Sequence, residues 1–246
     1  MLHEHEKLTA LLQTECGLPL SSRSGSDADG HNWILFWPAG EDARHTFSVR
    51  ANVGWRRLQI SLEPGSFASA LLEDMASADA DGVAVFCAVL DDCISSGAEI
   101  AMRVNGTDVS YRNEGLWSGD WKRLSLVLTK GAVELGTDDG RPDVEILLDW
   151  IGRFMAALVA ILPVEHDVVA EAELQSGFPE GDKVQVLVNR FERDRRNRAA
   201  AIAIHGTRCK GCGLDLGEKY GKLADGYIEV HHVRPVSEIG PGYIID

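Results

Sequence analysis

The sequence predicts an α+β fold for residues 1–163, an antiparallel sheet packed by helices. Three observations lead there. Strand-like runs follow one another with short turns between them, amphipathic helical patterns open and close the region, and an acidic stretch punctuated by Gly177, Pro179 and Gly181 then separates it from a segment of different character.

The elements are read in order. A helix over 5–16 places Leu8, Leu11 and Leu12 at helical spacing, and a polar loop rich in Ser, Gly and Asp covers 21–30. Strands are expected over 33–37, 46–53 and 57–62, the last closed by Pro64 and Gly65. A helix over 67–76 is expected to be capped by Ser66. Residues 82–95 read as a second helix, although the run 83–86 (Val, Ala, Val, Phe) also suits a strand. A strand over 99–104 runs into Asn105 and Gly106, a hairpin-turn pair. Leu124, Leu126 and Leu128 alternate along a strand over 121–129. A helix over 143–162 stops at Pro163; Glu145, Asp149 and Arg153 interrupt it, so it reads as a packed helix and not a membrane span.

Residues 164–182 read as a linker, and 183–246 as a second unit. Its first elements are a short strand over 184–188 and a helix over 190–205, basic in its first half and apolar over 199–204. Gly206 is placed where a helix C-cap belongs.

Composition narrows the classes. The chain has 246 residues, 45% of them hydrophobic, and a mean hydropathy of -0.09, as expected of a soluble protein. The N-terminus lacks the basic start and apolar core of a signal peptide, so the expected location is the cytoplasm. Cys16, Cys87 and Cys93 are scattered through apolar contexts and read as buried thiols, not a disulfide framework. The net charge of -14 is uneven. Residues 1–165 hold 13 basic against 25 acidic side chains, whereas 183–210 hold 8 basic against 2 acidic. A local basic island attracts phosphate over roughly a Debye length of ~8–10 Å.

The residues that suggest chemistry lie near the end. Cys209 and Cys212, separated by the two residues Lys210 and Gly211, can hold one zinc ion with two further ligands. Downstream runs Glu229, Val230, His231, His232, Val233, Arg234, Pro235. On a strand, His231 and His232 would point to opposite faces, so one could hold a metal while the other does something else. Phosphodiester hydrolysis needs that division: a divalent cation for developing charge, and an imidazole to take a proton from water.

The run 189–198, His205 and Gly206 with Cys209 and Cys212, the segment from Tyr227 through Glu229, His231 and His232 to Pro235, and Ser237 to Ile239 together resemble the HNH endonucleases, in particular the zinc-bearing branch among restriction enzymes that attack modified DNA. The resemblance covers about residues 175–246 and implies a partial ββα-metal domain. It implies that His231 ligates a catalytic Mg²⁺ or similar ion, that His232 is the general base, and that Glu229 is an orienting carboxylate. Cys209 and Cys212 would hold half of a structural Zn²⁺. The sequence given ends at Asp246 without the second ligand pair, the asparagine and the final histidine of the family pattern, so a truncated and inactive nuclease is the expectation.

Arg190, Arg193, Arg196 and Arg198 are candidate phosphate contacts. Of the six tryptophans, all within the first 150 residues, Trp117 is singled out for base recognition because its loop, flanked by Gly115 and Gly119, suggests exposure. The implied partner is DNA, modified or foreign, with a homodimer as the assembly to look for and no membrane. Two other readings stand beside the nuclease: a non-catalytic DNA- or ligand-binding module, and an acidic protein-interaction platform.

Overall fold

A computed structural model describes residues 5–117, 120–135, 143–163, 195–224, 226–228 and 230, with 195–197, 222 and 223 described in backbone only. The chain order is α1 (His5–Cys16), β1 (Leu20–Ser26), β2 (Asn32–Pro38), β3 (Phe47–Gly54), β4 (Arg57–Pro64), α2 (Ser69–Ala76), α3 (Ala80–Ser95), β5 (Ala98–Val104), β6 (Thr107–Asp108), β7 (Leu124–Gly131), α4 (Asp143–Ile161), α5 (Arg195–His205) and α6 (Leu216–Tyr220). The strands form one sheet in the order β1-β2-β3-β4-β7-β5-β6, and every pairing is antiparallel. The expected α+β class holds.

Each long strand alternates. Phe47, Val49, Ala51 and Val53 of β3, Leu58, Ile60 and Leu62 of β4, and Leu124, Leu126 and Leu128 of β7 are buried on one face. Their in-between neighbours are half-buried or exposed on the other. The buried face meets Leu8 and Leu12 of α1, Val85, Phe86 and Val89 of α3, and the apolar length of α4 in one core. α4 is buried nearly all round because α1, α3 and α5 pack about it. The helices therefore gather on one face of the sheet, with α5 packed on α1, α3 and α4.

Two expectations are corrected and one open alternative is resolved. Residues 20–26 form β1, where the sequence suggested a loop over 21–30; four serines and one glycine give the strand no apolar alternation, and its pairing with β2 decides. Ser66 does not cap α2, which begins at Ser69 behind Ala68 with no side-chain cap. The ambiguous run at 83–86 is helical: Asp79 accepts the backbone N–H of Gly82 at 2.6 Å and starts α3. The Asn105–Gly106 turn is as expected, with φ of 53° and 87° and Val104 paired to Thr107. The expected linker and the strand over 184–188 lie outside the described residues.

α5 packs onto α1, α3 and α4 and joins the same core. Ala199, Ala200, Ala201 and Ile202 are buried, and Ala200 joins the core formed with α4 and the sheet. The apolar half of this basic helix thus serves the fold of the first region.

Candidate functional site

α5 delivers the chain to the cysteine pair. Gly206, at φ 74°, donates its N–H to Ile202 O at 2.7 Å and ends the helix, as its sequence position predicted. The next residues form a tight knuckle. Cys209 N–H donates to Leu214 O at 2.9 Å, and Gly213 N–H returns to Cys209 O at 2.8 Å. Gly213 carries a φ of 71°, a left-handed turn that glycine adopts without strain. Arg208 fastens the outside of the loop, donating to Gly213 O at 2.9 Å and to Glu218 Oε1 at 2.6 Å. Asp215 caps α6 through the N–H groups of Gly217 and Glu218.

Within this loop the backbone N–H of Cys212, then that of Gly211, and then the Cys212 side chain hold the Cys209 thiol below its ordinary pKa. Donors turned toward a sulfur favour the thiolate, the form that binds metal. Cys209 is half-buried and Cys212 exposed, and both are free thiols. The loop fits half of a tetrahedral zinc set. Among the described residues no third donor joins them in a cluster; the one group of three is Asp27, Asp29 and His31 in the β1–β2 turn. There Asp27 Oδ1 already accepts the N–H groups of Asp29 and His31, at 3.1 and 2.8 Å, as a turn requires. Sequence reading passed over that group.

Glu229, His231, His232, Arg190 and Arg193 lie outside the described residues, and of Arg196 only the backbone on α5 is described. Arg198 is placed clearly. Its guanidinium donates to Thr14 O at 2.8 Å and Glu15 O at 3.1 Å, at the C-terminus of α1, and to Ile228 O at 3.4 Å. It satisfies carbonyls that the end of α1 leaves without helical partners, and its charge complements the helix dipole. Its donors are committed to the fold, unlike those of a phosphate contact on a solvated face.

Trp117 is half-buried, edge-on to Phe86 at 5.5 Å and tilted against Trp121 at 5.2 Å. The flanking glycines suggested exposure, but Leu116 is buried and accepts the Trp121 indole N–H at 2.9 Å, which draws the loop inward. The exposed tryptophan is Trp55, 91% exposed at the tip of the β3–β4 hairpin. A signal for it was present, since the expected strands ended at Val53 and resumed at Arg57. The chain matches no family model, no curated protein and no solved structure. No helix among the described residues is long and apolar enough to cross a membrane.

Proposed function

We propose that the chain is a DNA endonuclease of the HNH type, a metal-dependent phosphodiester hydrolase serving restriction or defence against modified or foreign DNA, with residues 1–163 as its reader. The observation that carries the reading is the knuckle: two thiols in one loop, with backbone N–H groups favouring the thiolate at Cys209, upstream of the segment holding Glu229, His231 and His232. Cys209 and Cys212 supply two ligands of a structural Zn²⁺. His231 holds a Mg²⁺ or similar ion, which stabilises charge on the phosphate oxygens, His232 takes the proton from the attacking water, and Glu229 orients its neighbours. Incubating a full-length form, one that carries the remaining motif elements of the family, with modified and unmodified DNA, with Mg²⁺ or Mn²⁺ and with a chelator, tests this. Cleavage that needs the metal is expected; its absence overturns the reading.

A second reading, a DNA-binding module that does not cut, is favoured by the lack of a third zinc donor at the knuckle among the described residues. Native mass spectrometry and a plasmid-nicking assay separate the two. One zinc per chain, lost on Cys209→Ser, together with nicking supports the nuclease; DNA retention without nicking supports the module.

A further inference from the structure

The face of the sheet turned away from the helices has its own pattern. Directly opposed residues of an antiparallel ladder share a face, so the register sets Trp33 between Gly25 and Asn52, and Leu35 between Arg23 and Arg50. The Arg50 guanidinium lies 4.6 Å and that of Arg23 5.8 Å from the Trp33 ring centre. Gly25 is needed there: a Cβ on it would meet the indole at 2.5 Å, so the ring lies against the bare strand. Arg57, on the same face, stands at the base of the hairpin whose tip is Trp55. A cavity of about 530 Å³ opens beside it, lined by Arg56, Arg57, Glu99, Thr129 and Lys130 among others.

Three arginines of this face differ in their pairing from others of the chain. Arg44, Arg103, Arg112, Arg153 and Arg208 each pair with a carboxylate. Arg23, Arg50 and Arg57 have no carboxylate partner among the described residues, in a chain with 38 acidic side chains. At a strand spacing of ~4.8 Å the backbones of Arg23 and Arg50 stand roughly 10 Å apart, with both guanidiniums over the Trp33 ring, and Arg57 lies farther along the strand direction. They would meet separate phosphates. Glu63 and Glu99, also on this face, bound the arginine patch on two sides.

We propose that this face binds duplex DNA, its three arginines without a described carboxylate partner on phosphates and Trp55 stacked against a base, with Trp33 as the platform that holds Arg23 and Arg50 in place. The proposal rests on the reading of residues 1–163 as a DNA reader and adds the surface that does the reading. Its natural test is fluorescence anisotropy of the whole chain with a labelled short duplex, modified or not, in chelator so that cleavage plays no part.

Wild type should bind with steep salt dependence. Trp55→Ala, which removes an exposed side chain and leaves the core intact, should weaken binding at least about fivefold. Arg23→Gln with Arg50→Gln should flatten the log–log salt slope by about two units. Arg112→Gln, which removes one positive charge at a residue paired with Asp91, should leave both unchanged, with circular dichroism confirming that each variant is folded. Wild-type binding that all three variants share would overturn the proposed surface while leaving the reader standing. No binding by wild type removes both.

Discussion

Single residues set two testable limits on the fold. Gly65 packs against its neighbours' backbone: a Cβ there would meet Ala43 O at 2.4 Å and Arg44 O at 2.5 Å. Backbone cannot swing aside as a side-chain tip does, and the site is pinned by Gly65 N–H to Thr46 O and Phe67 N–H to Arg44 O. Gly65→Ala should therefore cost about 2–3 kcal/mol in denaturant unfolding. Glu15 gives a pH signature. Burial, then the nearby Asp149 carboxylate, raise its pKa from 4.5 to about 7, against the pull of Arg198. The unfolded carboxyl ionises first, so the native state binds the extra proton between the two values. Its contribution to stability is complete below 4.5 and is lost as pH rises to about 7. Glu15→Gln should flatten this decline and raise stability at pH 8 by about 1 kcal/mol or more, discounted because the side chain is half-buried. A thermal-melt series across pH reads it directly.

Elements differ in how far local pattern alone specifies them. α1, β3, β4 and α4 were legible because their apolar residues repeat at 3.6 or 2 and their ends carry turn residues. β1 was not: Ser21, Ser22, Ser24 and Ser26 name no face, and the strand exists by pairing with β2. α5 was legible as a helix, but its place was not. Ala199 to Ile202 could have faced any apolar surface, and only the assembled α1, α3 and α4 show which. The same applies to Arg198, whose sequence neighbourhood looks like a phosphate-binding stripe while its donors cap α1. The α3–α4 contact has a polar anchor in Arg153, which pairs with Asp149 at 3.0 Å and with Asp92 and is only 14% exposed. Arg153→Ala should destabilise by about 2–3 kcal/mol, less than for a fully buried triad because both aspartates keep contact with water. Chemical unfolding of the variant measures it.

At the scale of the molecule, the fold supplies a sheet covered by helices on one face and, among the described residues, by no helix on the other, and a helix that ties residues 195–205 into the same core. The total charge of -14 misdirects a reader of the sequence, because among the described residues three arginines without carboxylate partners, Arg23, Arg50 and Arg57, stand on one face of the sheet. The knuckle was legible from spacing alone, since Cys-x2-Cys followed by glycine needs nothing distant to form its turn. A complete metal set was not, because its remaining ligands must come from elsewhere in the chain or from a partner. The most direct test of the nuclease account is the rate of plasmid nicking in Mg²⁺ or Mn²⁺ by a form that carries the remaining family motif elements and by its His232→Ala variant. The account predicts metal-dependent nicking that falls by about 10²-fold or more in the variant, the usual contribution of a general base. Equal rates in the two proteins would contradict it.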